Sequence, residues 1–272
     1  MKLFTHGGIF HADDVFAFVV LRMYFGEVAL TRGFDVPDDF DGIVFDIGNG
    51  KYDHHEALDK KERRKDKGNI PYAAFGKIWR DFGPKMFSRF VVNTIDSQLC
   101  KPLDSCDNSG APDTVSFAVG AFNPIPGSGD SADAAFMDAA DFAQGILERA
   151  IRRAQATEGQ LSIVQSWYKV HRQNGGGPIM VMPEYLPFAK ALYGTEVLFV
   201  VYPSNRGGYN AQAVGNPPAA LFPEEWGGKT GKELASVSGI SQLTFCHTGR
   251  HLVAGKTERA CVHAACKAME KL

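Results

Sequence analysis

The stretch KLFTHGGIFHADDVFAFVVLRMYFG, residues 2 to 26, decides the fold class that we predict for this chain. KLFT predicts a short buried strand, HGGIFHA a loop with glycines, and DDVFAFVVLRMYF a mostly apolar helix that Gly26 closes. VALTR and GIVFDIG predict two further strands, and the second is a β-branched run typical of a strand buried on both faces. Because strands alternate with helices, we predict an α/β fold with a largely parallel sheet and flanking helices.

The rest of the chain predicts a helical middle and a second domain. Helices are predicted in NIPYAAFGKIWRDFG, PKMFSRFVVNTIDSQL, DAAFMDAADFAQGILERAIRRAQA and LSIVQSWYKVHR. The clearest linker is NGGG, residues 174 to 177. Strands are then predicted in PIMVM, EVLFVVYPS, YNAQAVG and QLTFCHTG, and helices in PFAKALYG, GKELASVSG and KTERACVHAACKAMEKL. We therefore predict a catalytic α/β domain over 1–173 and a smaller α+β domain over 178–272.

Composition excludes several classes of protein. The chain has 272 residues, of which 44% are hydrophobic and 22% are charged, as in ordinary globular proteins. Its net charge of −2 gives no global basic field for nucleic acid. The five cysteines form no C-x-x-C pair, which argues against a disulfide framework and favours a reducing, cytoplasmic compartment. We expect no membrane span, and no cleaved leader because His6 is close to Met1.

One segment, KKERRKDK from Lys60 to Lys67, is a mixed charge run. We interpret it as a solvated helix or a mobile loop. A basic flap that faces the substrate is the alternative.

A set of histidines and aspartates stands where predicted strands end or helices begin: His6, His11, Asp13, Asp46, His54 and Asp107. In an open α/β sheet, ligands bind beyond the carboxyl ends of the strands, so these side chains are expected to converge there. Three imidazoles and three carboxylates are too many for one tetrahedral zinc, but they suit two metals that share a carboxylate. A two-metal site of this kind promotes phosphoryl displacement.

Taken singly, these residues have simpler interpretations. His6 or His11 is also typical of a surface or capping histidine, and Asp13 or Asp14 of a helix N-cap. Asp46 also fits a turn at a strand end, and Asp107 an Asx-turn in LDSCDNSG. The pair His54-His55 is harder to explain in this way, because neighbouring side chains on an extended segment point in opposite directions.

Three segments, THGGIFHADDVFA, FDIGNGKYDHHE and LDSCDNSG, together resemble the signature of the melanocyte-proliferating-gene (Myg) family, a branch related to the DHH phosphoesterase superfamily. The resemblance continues through AFNP, LFVVYPS, FPEEWGGKTGKEL, VSGI and FCHTGRH, in the expected order along nearly the whole chain. It implies a binuclear, manganese-type hydrolase of phosphodiesters, and family members are described as 3′-to-5′ RNA exonucleases. The attacking group would be a hydroxide between the two metals.

The resemblance also implies roles for single residues. His6, His11 and Asp46 would hold one divalent ion, and Asp13, Asp46, His54 and Asp107 the other, with Asp46 as the bridge. His55 would face the phosphate, and Asp53 would orient the loop as a hydrogen-bond acceptor.

The segment HTGRHLVAG stands where the superfamily carries a glycine-rich segment that contacts substrate. Its candidate substrate ligands are Thr248, Gly249, Arg250 and His251. Arg250 can bind a phosphate with two hydrogen bonds, and the following helix would direct its N-terminus at the same anion. The alternative is a turn with an exposed arginine.

The chain departs from the family pattern at two places. Where the family tends to have paired glycines before a histidine, this chain has Gly249-Arg250-His251, and where the family tends to have Asp-Asn-Gly, it has Asp107-Asn108-Ser109. These departures leave the substrate less defined than the metal site.

We predict an exonuclease acting on RNA or short oligonucleotides, held by a few contacts in a cleft between the domains. The alternatives are a phosphatase or phosphodiesterase of small molecules, such as pyrophosphate, a nucleotide bisphosphate or a cyclic dinucleotide, and a non-catalytic module that binds metal or RNA. No membrane partner is expected, and a homo-oligomer is left open.

Overall fold

A computed structural model of the chain describes residues 1–56, 61–66, 68–215 and 217–270. The chain divides into two compact units, Met1–Gln155 and Ala156–Leu272. This division falls within a long helix, whereas the ranges 1–173 and 178–272 expected from sequence place the boundary after that helix. Each unit has its own hydrophobic core.

The first unit contains a three-stranded parallel sheet, as the α/β prediction requires. Its strands are β1 (Lys2–His6), β2 (Ala29–Gly33) and β3 (Ile43–Val44), in the order β2-β1-β3. Helix α1 (Ala12–Phe25) connects β1 to β2 and is buried from Ala12 to Leu21. A helix that is apolar on all sides belongs inside a core, and α1 packs there beside Phe75 and Trp79.

Helices form the rest of this unit. They are α2 (Ala74–Met86), α3 (Arg89–Ile95), a π-helical turn (Asp96–Cys100), α4 (Lys101–Ser109), α5 (Thr114–Gly120) and the beginning of α6 (Ala132–Gln173). The Asx-turn considered for Asp107 in LDSCDNSG is wrong, because Asp107 lies on α4. Pro102 lies directly after the π-helical turn, and the helix ends only at Gly110, which has a φ of +68°.

Helix α6 is 42 residues long, so the two separate helices expected between residues 133 and 172 are one. Gly159 lies between the two predicted segments, but a single glycine costs a helix only about 1 kcal/mol relative to alanine. The helix ends at the glycines of NGGG, where the Gly176 N–H donates to the His171 carbonyl (2.8 Å). None of the described helices is both long enough and apolar enough to cross a membrane.

The second unit contains a five-stranded mixed sheet of order β4-β5-β6-β8-β7. Its strands are β4 (Ile179–Val181), β5 (Phe199–Pro203), β6 (Tyr209–Ala213), β7 (Leu243–Cys246) and β8 (Leu252–Gly255). A short 3₁₀ turn (Glu224–Trp226) and the helices α7 (Gly231–Ser238) and α8 (Glu258–Met269) complete it.

Two expectations for this unit are wrong. PFAKALYG forms turns rather than a helix, because Gly194 at a φ of +75° follows the single turn that the Leu192 N–H closes on the Phe188 carbonyl. Strand β8 was not expected, because its four residues lie in a segment interpreted only as a glycine-rich loop.

The charge run is only partly solvated. Arg64 is 4% exposed, and its guanidinium contacts Asp96 (2.8 Å) and Asp104 (2.7 Å). Lys61 donates to the Asn108 side chain at 2.5 Å. The expectation of a solvated segment is therefore wrong for Arg64, whose buried ion pair with Asp104 connects the charge run to α4. Lys60 and Lys67 lie outside the described residues.

Candidate metal centre

The site lies at the carboxyl edge of the parallel sheet in the first unit. His6 is the last residue of β1, and Asp46 follows β3, its parallel neighbour. Because α1 begins immediately after the loop that leaves β1, His11 becomes its N-cap residue and Asp13 falls in its first turn. The strand ends and the helix start therefore direct their polar side chains to one place.

All six predicted ligands come together there. The His54 Nε2 atom lies 2.9 Å from Asp46 Oδ1, 3.3 Å from Asp13 Oδ2 and 3.2 Å from Asp107 Oδ2. His6 Nε2 lies 3.2 Å from Asp46 Oδ2, and His11 Nδ1 lies 3.8 Å from Asp107 Oδ1. Asp107 reaches the cluster from α4 rather than from a turn.

Asp46 is at the centre of this cluster. One of its carboxylate oxygens faces His6 and the other faces His54. The residue is 2% exposed and has a φ of +57°, in the left-handed region that a non-glycine residue rarely adopts. Such backbone strain persists where the surrounding structure imposes it, often at functional sites. The arrangement is that expected of a carboxylate shared between two ions.

Asp14 is a member of the cluster that sequence reasoning missed. Its Oδ2 atom lies 3.1 Å from His6 Nε2, while Oδ1 accepts the His11 backbone N–H at 3.0 Å. Asp14 therefore caps α1 with one carboxylate oxygen and faces the site with the other. The signal was the doubled acid of HADD, which was interpreted only as a helix cap.

The donor atoms form three sets, each within 4.8 Å: His6, Asp14 and Asp46; Asp46, His54 and His55; and His11, Asp13 and Asp107. These sets do not coincide with the two that the resemblance implies, because His11 groups with Asp13 and Asp107. Asp46 belongs to two of the sets. Which donors share an ion therefore stays a prediction, with Asp46 as the candidate bridge.

The buried polar atoms of this cluster fit a cation. In the described part of the chain, the buried atoms without a hydrogen bond include Asp13 Oδ1, Asp14 Oδ2, Asp46 Oδ1 and both ring nitrogens of His54. These atoms approach one another closely without the alignment of a hydrogen bond. A buried carboxylate that lacks a donor is costly unless a cation compensates it, and oxygen with imidazole suits a divalent metal.

Proton affinities in the cluster indicate the same preference for positive charge. Burial alone would lower the pKa of His6 and His54, but the carboxylates beside them raise it to about 11 in each. Burial and the nearby charge of Asp13 raise the pKa of Asp107 to about 7. The site therefore retains protons when no other cation compensates its carboxylates.

Asp53 and His55, the residues on either side of His54, form a pair beside the cluster. Asp53 Oδ1 lies 2.7 Å from His55 Nδ1, and this carboxylate also accepts the backbone N–H groups of Asn49, His54 and His55. Burial would raise the pKa of Asp53, but these hydrogen bonds hold it well below its usual value. Lys77, itself 5% exposed, donates to the Asp53 carbonyl. The His55 side chain, 60% exposed, is thus held at one nitrogen and open to solvent.

The predicted substrate ligands of the second unit lie in the turn between β7 and β8. Thr248, Gly249, Arg250 and His251 form this turn. Arg250 has a φ of +56°, and the rings of His247 and His251 are 4.2 Å apart. The turn is ordered by its own backbone, since the Arg250 N–H donates to the His247 carbonyl at 2.8 Å. Their contact with a substrate stays a prediction.

Two hollows open beside the cluster in the first unit. One, of about 400 Å³, is lined by His6, Asp46, Asp53 and His55 together with apolar residues such as Ile47. The other, of about 820 Å³, is lined mainly by apolar atoms and shares Ile9 and His11 with the first. Both hollows border the candidate metal donors, so a substrate bound in either one can contact them.

Comparison with known proteins gives the family. Residues 2–269 match the model of the MYG1_exonuc family, described as an uncharacterised protein family (UPF0160). The chain is 24% identical to the MYG1 protein of Dictyostelium discoideum, over 100% of this chain and 97% of that protein. It is 23% identical to the MYG1 exonuclease of mouse, over 97% of this chain and 83% of the mouse protein. It is also 23% identical to the MYG1 exonuclease of human, over 97% of this chain and 84% of the human protein. No solved structure matches the chain. Since the family model spans almost every residue, the chain belongs to the MYG1 family.

Proposed function

We propose that this chain is a phosphodiesterase, dependent on two divalent metal ions, that removes nucleotides from the 3′ end of RNA or short oligonucleotides. The observation that carries the proposal is the convergence of imidazoles and buried carboxylates on Asp46, whose two oxygens face His6 and His54. The names of the mouse and human relatives, MYG1 exonuclease, support the reaction class.

His6, His11, Asp13, Asp14, Asp46, His54 and Asp107 are the residues that would hold the ions. Their oxygen and imidazole donors fit Mn²⁺, which we propose as the native metal. When bound, the pair of ions would activate water and neutralise charge on the phosphate.

The chain's own groups have separate tasks around the phosphate. His55, oriented through Nδ1 by Asp53, would present its Nε2 atom to a phosphoryl oxygen. Lys77 fixes the backbone of this segment by its contact with the Asp53 carbonyl. In the second unit, taken by itself, Arg250 is proposed to bind a phosphate of the substrate, because a guanidinium binds phosphate oxygens in pairs.

A cleavage assay tests the proposal. Metal is removed with a chelator, Mn²⁺ is returned, and a 5′-labelled RNA, the matching DNA, pyrophosphate and a cyclic dinucleotide are offered in parallel. We expect stepwise shortening of the RNA from its 3′ end, only with metal. Asp46→Asn is expected to lower the rate at least a hundredfold, while Asp138→Asn, the same change at an exposed position on α6, leaves it unchanged.

The same assay separates the alternatives. If pyrophosphate or the cyclic dinucleotide is hydrolysed while the RNA stays intact, the chain is a small-molecule phosphatase or phosphodiesterase and not an exonuclease. Intact substrates throughout, with Mn²⁺ still bound, would leave a non-catalytic module.

A further inference from the structure

We propose that the apolar hollow beside the metal centre binds the base of the nucleotide that is released, and that Phe117 stacks on this base. This inference rests on the proposed function and specifies how its substrate is held. The hollow measures about 820 Å³, within the range of sites that bind small molecules in proteins. Its position, its charge and its exposed side chains each support this occupant.

The hollow is continuous with the metal centre. His11, Asp13 and Asp107 line it and also form one set of candidate metal donors. The hollow of about 400 Å³, which shares Ile9 and His11 with it, is lined by His6, Asp46 and His55. A phosphate that contacts His11, Asp13 and Asp107 therefore lies against the apolar hollow, so the group attached to that phosphate is the natural occupant.

The charge of the hollow excludes a second phosphate as its main ligand. Its described lining includes the acids Asp13, Asp107 and Asp113 but no lysine or arginine. Asp13 and Asp107 are candidate metal donors, so what disfavours a second anion is the carboxylate of Asp113 and the lack of a basic side chain in the described lining. A neutral, flat, largely apolar ring needs no such partner. A nucleobase has this chemistry and is joined to a phosphate through its sugar.

Two large apolar side chains are exposed at this hollow. Phe117 on α5 is 79% exposed, and Ile9 in the loop before α1 is 71% exposed. An exposed aromatic ring costs a protein solubility, and its π-face is a general partner for any base, since stacking needs no particular sequence. Phe117 is therefore assigned as the stacking residue and Ile9 as an apolar contact.

The loop and helix that carry these residues are tied together. The Asn123 side chain accepts the Phe10 backbone N–H (3.0 Å) and donates to the Phe10 carbonyl (2.8 Å). This pair joins AFNP, at the end of α5, to the loop that also carries His11. The hollow is thus formed before substrate arrives, and its distance from the metal donors is fixed.

Kinetics on two substrates test the inference. One RNA carries a normal 3′-terminal nucleotide, and the other is identical but lacks the terminal base. For Phe117→Ala we expect KM for the normal RNA to rise at least about tenfold, as stacking allows, with kcat nearly unchanged. KM for the base-free RNA should not change. Phe117→Trp should restore the normal KM, and Tyr193→Ala, at an 81% exposed ring in the second unit, is the control.

Binding to the full-length protein keeps the test independent of turnover. By calorimetry, adenosine 5′-monophosphate should bind the wild type at least about tenfold more tightly than ribose 5-phosphate, and Phe117→Ala should abolish that preference. Equal affinities in the wild type, or an unchanged preference in Phe117→Ala, would overturn the inference. So would an equal rise in KM for both RNAs. If the wild type cleaves neither RNA, the proposed function fails, and the calorimetric preference alone decides whether the hollow binds a base.

Discussion

At Asp46 the chain accepts an unusual backbone conformation, with φ at +57°, and buries a carboxylate between two imidazoles. The sequence predicted this residue and its neighbours because they follow apolar strands of a parallel sheet. It did not predict Asp14. Two consecutive acids in a first turn point in different directions, and a pattern of residues does not show that Asp14, while one oxygen caps the helix, places the other 3.1 Å from His6 Nε2.

Adjacent histidines at residues 54 and 55 should respond differently to substitution. His54 is 3% exposed and contacts three carboxylates, whereas the His55 side chain is 60% exposed and contacts Asp53. His54→Ala is expected to weaken Mn²⁺ binding at least about tenfold, as loss of a group that supports a metal does. His55→Ala should retain the metal and lose turnover. Calorimetric titration with Mn²⁺ measures the first effect, and equal metal loss in both variants would contradict these roles.

At the scale of elements, the position of α4 depends on a close approach that only glycine allows. A Cβ atom on Gly76 of α2 would lie 1.9 Å from Asp104 Oδ2, and the Gly76 N–H donates to Asp104 Oδ1 at 3.1 Å. Asp104 in turn contacts Arg64. This network joins α2, α4 and the charge run, and α4 carries Asp107 into the site. Sequence periodicity could indicate the helices but not this contact between them.

Gly76→Ala should therefore destabilise the first unit. Overpacking of this kind costs about 1–3 kcal/mol, and separation of the buried Arg64 and Asp104 charges adds to it. Chemical denaturation measures the free energy of unfolding. Gly159→Ala is the matched control, since nothing lies within 4 Å of the added Cβ and alanine favours a helix. An equal stability of Gly76→Ala and wild type would show that α2 and α4 do not pack as described.

A salt bridge between Lys51 and Asp81 predicts a pH dependence of stability. Asp81 on α2 contacts Lys51 Nζ at 2.6 Å and accepts the Tyr52 hydroxyl at 3.2 Å. Burial would raise the pKa of Asp81, but Lys51 and Arg80 hold it below its ordinary value of 3.8. Because the folded pKa is the lower one, the stabilisation is present above pH 3.8 and is lost as pH falls through the folded value.

Asp81→Asn is accordingly expected to lower the free energy of unfolding by no more than about 1 kcal/mol at pH 7, since the pair is partly exposed and screened. The difference from wild type should shrink as the solution is acidified below pH 4. Thermal unfolding across this range measures it, with Asp38→Asn, at an exposed position, as the control. If the difference in the free energy of unfolding between Asp81→Asn and wild type grew on acidification, the pKa of Asp81 would be raised on folding and not lowered.

For the whole molecule, the α/β class, the three parallel strands and most strands of the second unit were predictable from apolar patterns bounded by turn residues. The length of α6 was not, because a glycine within a helical pattern does not by itself show whether the helix ends. Strand β8 and the turns at PFAKALYG depend on pairing and on a positive φ, which a local pattern does not reveal. The six predicted donors were found together because their chemistry and topology agreed.

Overall charge also predicts how RNA is held. With a net charge of −2, a long basic groove is not expected, and the proposed contacts involve few phosphates. The logarithm of the affinity for a single-stranded RNA should therefore fall with the logarithm of salt concentration with a slope no steeper than about −2. Fluorescence anisotropy with labelled RNA and a Ca²⁺-loaded protein measures it. A slope of about −5 or steeper would require an extended phosphate-binding surface.

The central claim is that two metal ions share Asp46. Anomalous diffraction from crystals grown with Mn²⁺ tests it most directly, together with the metal content of the protein in solution. We predict two ions per chain, both in contact with Asp46, and loss of at least one in Asp46→Asn with the fold retained. A single ion, or two ions that do not contact Asp46, would contradict the account.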